Sequence, residues 1–210
     1  MIRLIIADDH AIMRSGLKQI FTLAPDFSVA GEASTADDLL PLPPQHTFDL
    51  LLLDLNMPGI SGMDLIQRIR KHRPDLPILV LTMHNEPQVV ARTLKAGANG
   101  YITKDCEPEL LLAAIRKVAA GGQFIAPDLA EKMVFAATST TAPAPHTLLS
   151  DRELEVFTLL SHGKSVGEIA SQLAISSKTV STHKVRLFEK LDISGMADLM
   201  RYAMRHKLLN

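Results

Sequence analysis

The chain has 210 residues, 47% hydrophobic and 21% charged, with a formal net charge of -1. That balance excludes a disordered polyelectrolyte, and it excludes attraction of the whole chain to nucleic acid or membrane by charge alone. The lone cysteine, Cys106, leaves no disulfide within the chain, and no apolar stretch reaches spanning length or resembles a signal peptide, so a cytoplasmic protein is expected.

In chain order, Leu4 to Ala7 is an apolar run that stops at Asp8-Asp9. Ile12, Leu17, Ile20 and Phe21 follow at roughly helical spacing, and Pro25 ends that helix. Ser28 to Glu32 reads as a weaker strand. Thr35 to Leu40 begins a helix that Pro41, Pro43 and Pro44 cut short. Residues 49–54 contain four leucines without alternation, the mark of a strand buried on both faces, and Pro58-Gly59 then forces a turn. A helix over Gly62 to Lys71 follows, with Leu65, Ile66 and Ile69 on one face. Pro77 to Thr82 is a second buried strand. Glu86 to Lys95 is a helix closed by Gly97, Gly100 to Lys104 is a short strand, and Glu107 to Ala120 is a helix closed by Gly121-Gly122. Five strands alternating with five helices predict an α/β fold with a parallel sheet.

Residues 137–147 are small and rich in Pro and Thr, as in a linker, and Pro127 to Ala136 adds a short helix before it. Beyond it the pattern is purely helical. Ser150-Asp151-Arg152-Glu153 and Ser165-Val166-Gly167-Glu168 are capping boxes. Leu154, Phe157 and Leu160 form the stripe of the first helix, which Gly163 stops. Ala174-Ile175-Ser176 is a tight turn, Ser177 to Leu191 is a third helix, and Ser194 caps a fourth that ends near Lys207. The domains expected are 1–122, a linker over 123–147, and 148–210. Residues 147–210 carry nine Lys+Arg against seven Asp+Glu, whereas residues 1–146 carry thirteen against sixteen.

The chemistry gathers at strand ends. Asp8 and Asp9, Asp54, Thr82 and Lys104 each follow a strand, and in a parallel sheet those ends line one edge, where ligands bind. Three carboxylates together call for a cation, and an all-oxygen donor set suits Mg²⁺. A carboxylate beside a divalent ion and a lysine is an acceptor for a phosphoryl group, with the threonine hydroxyl available to the new phosphate.

These motifs resemble the receiver domain of two-component response regulators: Asp8-Asp9, Leu-Leu-Leu-Asp54 with Met57-Pro58-Gly59, Thr82 and Lys104. The resemblance implies a flavodoxin-like sheet of order 2-1-3-4-5 and phosphorylation of Asp54 by a sensor histidine kinase or phosphotransfer protein. It implies Mg²⁺ held by Asp9, Asp54 and the Asn56 backbone carbonyl, with Asp8 acting through water. It pairs Thr82 with Tyr101 as a switch. Residues 148–210 resemble the all-α LuxR-type helix-turn-helix through Leu149 to Val156, Gly163-Lys164-Ser165, Glu168-Ile169-Ala170, Leu173 to Ser176, Lys178-Thr179-Val180, His183 and Lys190-Leu191. The whole chain is thus similar to NarL/FixJ-type regulators, which implies double-stranded DNA as a partner, a homodimer on DNA and no membrane.

In the 177–191 helix, Val180, Leu187 and Leu191 share the face expected in the core. Lys178, Thr179, Ser181, Thr182 and Val185 are the expected DNA-facing residues, and Lys184, Arg186 and Lys190 the expected phosphate contacts. Family members often have lysine where this chain has Ser181. His183 borders the buried face and is read as packing. His10 is set aside as a ligand because Mg²⁺ prefers oxygen.

Two rival functions are weighed. A haloacid-dehalogenase-type phosphatase needs an acid two residues after the aspartate, where this chain has Asn56, so the chain is not read as an enzyme. A regulator independent of phosphorylation would have no use for the aspartates, Thr82 and Lys104.

Overall fold

The computed structural model describes residues 1–39, 48–57, 60, 62–138, 144–173, 175–206 and 208. The expected breaks at Pro41, Pro43, Pro44 and Pro58-Gly59, and the end near Lys207, lie outside these residues. The chain forms two compact units, Met1–Ser139 and Thr140–Asn210.

In the first unit, β1 (Ile2–Ala7), β2 (Phe27–Ala33), β3 (Leu50–Leu53), β4 (Ile78–Thr82), β5 (Gly100–Thr103) and β6 (Phe124–Ile125) form one sheet of order β2-β1-β3-β4-β5-β6. All pairings are parallel. The expected order 2-1-3-4-5 is present, and a sixth strand extends it at the β5 edge. Helices α1 (Ala11–Thr22), α2 (Ala36–Leu39), α3 (Gly62–His72), α4 (Pro87–Ala96), α5 (Pro108–Ala119) and α6 (Pro127–Thr138) connect the strands and follow β6. Every residue of β3, β4 and β5 is buried, which explains their unbroken apolar sequences: helices leave no wet face for polar alternation.

The short helix expected at Pro127 to Ala136 is α6, but it and β6 belong to the first unit, whereas the sequence assigned residues 123–138 to the linker region. A two-residue strand has no periodicity to read; β6 exists because the exposed edge of β5 offers Gly100 and Tyr101 as partners. Ile12 departs from expectation in the other direction. It is 89% exposed, while Leu17 and Phe21 carry the buried face of α1.

Two glycines hold the sheet edge together. A Cβ on Gly62 would lie 2.7–2.8 Å from Leu55, so only glycine lets α3 begin against the segment that leaves β3. Gly97 closes α4 at φ 116°, in the left-handed region, and donates to the Thr93 and Leu94 carbonyls. Arg70 then donates from Nε to the Gly97 carbonyl, from Nη1 to the Leu76 carbonyl and from Nη2 to Asn99 Oδ1, tying the ends of α3 and α4 to the start of β4.

The second unit contains a 3₁₀ turn (Pro145–Leu148), α7 (Asp151–Ser161), α8 (Val166–Gln172), α9 (Ser177–Leu191) and α10 (Met196–Arg205). Both capping boxes are present at Ser150 and Ser165. A further cap is at Ser176, whose Oγ accepts from the Thr179 amide. Ser194 is not the cap of the last helix: Gly195 holds that position, and Ser194 donates through N and Oγ to Asp198 Oδ2. Val156, Phe157, Leu160, Ile169, Val180, Leu187, Leu191 and Leu199 form the core, with Leu154 packed at its margin.

Candidate functional site

Parallel register brings the acidic residues together. Ala7 pairs with Leu53, and the Asp54 amide donates 2.8 Å to the Ala7 carbonyl, so Asp8 and Asp54 leave adjacent strands side by side. Thr82 pairs with Thr103, and the Lys104 amide donates to the Thr82 carbonyl, which puts Lys104 on the same edge. The Lys104 ammonium lies 2.7 Å from Asp8 Oδ2 and 2.8 Å from Asp54 Oδ2. Asp8 and Asp54 are both 2% exposed, and the Lys104 side chain is 6% exposed.

The ammonium does not satisfy every polar atom at this edge. Asp54 Oδ1 and Thr82 Oγ1 are buried atoms with no hydrogen-bond partner among the described residues, while Asp9 Oδ1 lies 2.7 Å from His10 Nδ1. Ligand atoms of Asp8, Asp9, His10 and Asp54 all lie within 4.8 Å of one another. Buried polar atoms are normally paired, so two such orphans at one strand edge mark a place built for something else. Oxygen donors converging on one point fit a hard divalent cation.

Charge in the pocket is reflected in its titrating groups. Burial pulls the Lys104 ammonium down, but the Asp54 and Asp8 carboxylates outweigh it and raise its pKa above the ordinary 10.5. Tyr101 is fully buried beside this edge, and its hydroxyl donates 3.0 Å to the His84 carbonyl. Burial, and then the charges of Glu86 and Asp54, push the phenol well above 10. The segment between β4 and α4 is also tied to Asn56, whose Oδ1 lies 3.1 Å from His84 Nε2. Glu86 is held down by His84 despite burial, which acts the other way.

In the second unit, α9 turns Val180, Leu187 and Leu191 inward. Lys178, Thr179, Ser181, Thr182, Val185 and Arg186 are exposed on the remaining surface, Val185 with 57% of its area. Ser181 and Thr182 donate back to the Ser177 and Lys178 carbonyls, and Thr179 Oγ1 bonds Ser176 Oγ. Lys184 is half-buried, its ammonium 5.4 Å from the centre of the Phe188 ring. His183 packs as expected, with burial lowering its pKa.

Lys190 departs from its expected part. Its ammonium lies 2.6 Å from Glu153 Oε2 and donates 3.2 Å to the Leu148 carbonyl. Glu153 is buried, and burial pushes its carboxyl up, but Lys190 and the Ser150 cap bring it below the ordinary value. Lys190 therefore anchors α9 on the start of α7, although its side chain is still 39% exposed. Sequence spacing gave no hint of it, since the partners are 37 residues apart.

The family described as response regulator receiver domain matches residues 4–116, and the luxR family of bacterial regulatory proteins matches residues 147–203. The chain belongs to the response regulators. It has a LuxR-type DNA-binding domain and is a DNA-binding transcription regulator of the NarL/FixJ type. It is 36% identical over 211 residues to the response regulator UvrY of Escherichia coli K12, covering all of this chain and 97% of that protein. It is 32% identical over 211 residues to the response regulator GacA of Pseudomonas aeruginosa, covering all of this chain and 99% of that one. Among solved structures, RcsB of Salmonella enterica serovar Typhimurium, bound to promoter P1flhDC with the phosphomimetic BeF₃⁻, matches with TM-score 0.70 and 30% identity, over 96% of this chain and 97% of that one. No helix among the described residues is long and apolar enough to cross a membrane.

Proposed function

We propose that Asp54 is the phosphoryl acceptor of this regulator and that its phosphate controls DNA binding by α9. The observation that carries the reading is the division of labour at Asp54: Oδ2 is held 2.8 Å from Lys104, while Oδ1 is buried without a partner. A carboxylate held by one oxygen and free at the other is oriented as a nucleophile. Asp54 Oδ1 forms a bond to phosphorus as the bond from phosphorus to the imidazole nitrogen of a sensor histidine kinase or phosphotransfer protein breaks. The ring nitrogen takes the electron pair of the broken bond, and the imidazole, already protonated on its other nitrogen, leaves neutral as Asp54 becomes an acyl phosphate.

Mg²⁺ would be held by Asp9, Asp54 and the Asn56 backbone carbonyl, with Asp8 acting through water, and when bound it neutralises charge on the transferring oxygens. Lys104 supplies the second positive charge, already poised between Asp8 and Asp54. Thr82 Oγ1 has no partner to give up, so it can donate to a phosphate oxygen without breaking an existing bond. Tyr101 is bound to the carbonyl of His84, two residues beyond Thr82, so any movement of Thr82 toward the phosphate is transmitted to the segment that starts α4.

The output is homodimerisation, release of α9 for the major groove of double-stranded DNA, or both, in the cytoplasm. Lys178, Thr179, Ser181, Thr182 and Val185 face the bases and sugar-phosphate edge, with Lys184 and Arg186 on phosphates. Ser181, in place of a lysine, gives this face one cation fewer and a shallower salt dependence. The test is to label the protein with acetyl phosphate and map the peptide that gains one phosphoryl group. Label on the Asp54 peptide, absent in Asp54→Asn, is expected; full labelling of Asp54→Asn refutes the assignment.

A further inference from the structure

We propose that Thr182 and Val185 form an apolar reader of thymine 5-methyl groups, so that α9 selects T·A base pairs at the centre of each half-site. The inference rests on the reading of α9 as the helix that enters the major groove, and adds the chemical feature it recognises there.

Helical spacing fixes the residues concerned. Val180, Leu187 and Leu191 are the buried side of α9. Lys178, Thr182, Val185 and Glu189, at i, i+4, i+7 and i+11, lie on the opposite face, and all four are exposed. This ridge begins with a cation and ends with a carboxylate. DNA phosphates attract the Lys178 end and repel the Glu189 end, so the stretch that meets the bases is centred on Thr182 and Val185. These two are neighbours on the helix surface, three residues apart.

Their chemistry is apolar because the hydroxyls are engaged elsewhere. Thr182 Oγ1 donates 3.0 Å to the Lys178 carbonyl, and Ser181 Oγ donates 2.9 Å to the Ser177 carbonyl. With Oγ1 turned onto its own helix, the branch of Thr182 left for a ligand is the γ-methyl. Val185 adds two methyls, with 57% of its area exposed, whereas the other apolar residues of α9 are buried or half-buried. One exposed valine means little by itself. Here it stands at the middle of the face opposite the core, beside a second methyl-bearing side chain.

One base pair fits this surface. In the major groove a G·C pair shows two acceptors on guanine and one donor on cytosine, and carries no methyl. A T·A pair carries the thymine methyl, which packs on Thr182 and Val185, and the adenine N6 donor, which the lone pairs of Ser181 and Thr182 can accept. Reading guanine with either hydroxyl would break a hydrogen bond already made.

The test uses the full chain with acetyl phosphate and Mg²⁺. Duplexes are selected by the wild-type protein from a randomised pool, and each thymine of the selected half-site is replaced in turn by deoxyuridine, which lacks only the methyl. The expected result is a loss of affinity of about four-fold at one or two central positions, the worth of one buried methyl each. The loss is absent in the double variant Thr182→Ser, Val185→Ala, which keeps the wild-type Tm because both positions are exposed. If deoxyuridine binds as well as thymidine at every position, or if the loss persists in the double variant, this patch reads no methyl and the inference fails alone. If the double variant, Lys178→Ala and Arg186→Ala all bind the selected DNA as wild type does, α9 is not the reading helix and both readings fall.

Discussion

Replacing Lys104 with methionine removes the only ammonium in contact with Asp8 and Asp54 among the described residues while keeping the length of the stem. In the native pocket that ammonium lies 2.7 and 2.8 Å from two carboxylates that are each 2% exposed. At an effective dielectric constant of about 20, each contact is worth about 6 kcal/mol before desolvation. Desolvation of the ammonium offsets much of this, and removal of one partner of a buried pair leaves a net loss of about 3 kcal/mol. For the first unit that corresponds to a fall of roughly 10 °C in Tm. The loss has a second signature. Without Lys104, Asp8, Asp9 and Asp54 repel one another unopposed, so Mg²⁺ stabilises the variant more than the wild type and narrows the gap between them. Thermal denaturation of both proteins with and without millimolar Mg²⁺ reads both effects. A variant within about 1 kcal/mol of wild type, or an equal Mg²⁺ shift in the two, refutes the reasoning that Lys104 is the counter-charge of this pocket.

Thr82→Val removes a hydroxyl that has no partner, so the unphosphorylated protein is as stable as wild type or about 1 kcal/mol more stable, while the gain in DNA affinity on adding acetyl phosphate shrinks. Lys190→Ala strands the Glu153 carboxylate and destabilises the second unit by about 2 kcal/mol in urea denaturation, discounted because the lysine is 39% exposed. Lys178→Ala, by contrast, leaves stability unchanged and lowers the salt dependence of DNA binding by about one unit of slope. The chain has two tyrosines and no tryptophan, so phenolate absorbance is easily followed. Tyr101 keeps its proton longer in the folded state than unfolded, chiefly through burial, so its stabilising contribution is complete below about pH 10 and is lost above it. Lys104, with its pKa raised, acts in the same sense. Tyr101 therefore ionises only as the first unit unfolds, and a reversible Tyr101 titration at its ordinary pKa with the fold intact contradicts its burial.

The sheet and its chemical edge were legible because both depend on local sequence. Four leucines between Asp49 and Asp54 cannot sit on a strand with a wet face, and the strand ends put the two carboxylates and Lys104 on one edge without knowledge of the packing. What escaped was set by tertiary partners. Lys190 looked like any cation on an exposed helix until Glu153, 37 residues away, was seen beneath it. Ile12 fits a helical spacing, yet α1 turns it outward because Leu17 and Phe21 already define the buried face. The β6 strand has meaning only as a partner for β5. Arg70 is one charged residue among several at the end of α3, and only the fold reveals the carbonyls it collects.

The central claim is that a phosphate on Asp54 is read out at α9. The most direct measurement is a titration of promoter DNA, selected by its binding to this protein, with the full chain before and after treatment with acetyl phosphate and Mg²⁺, for wild type and Asp54→Asn at one fixed salt concentration. The account predicts that the phosphodonor tightens binding by wild type by about ten-fold or more and leaves Asp54→Asn unchanged. Equal affinity of wild type with and without phosphodonor, on protein whose Asp54 is confirmed to carry the phosphoryl group, would contradict it.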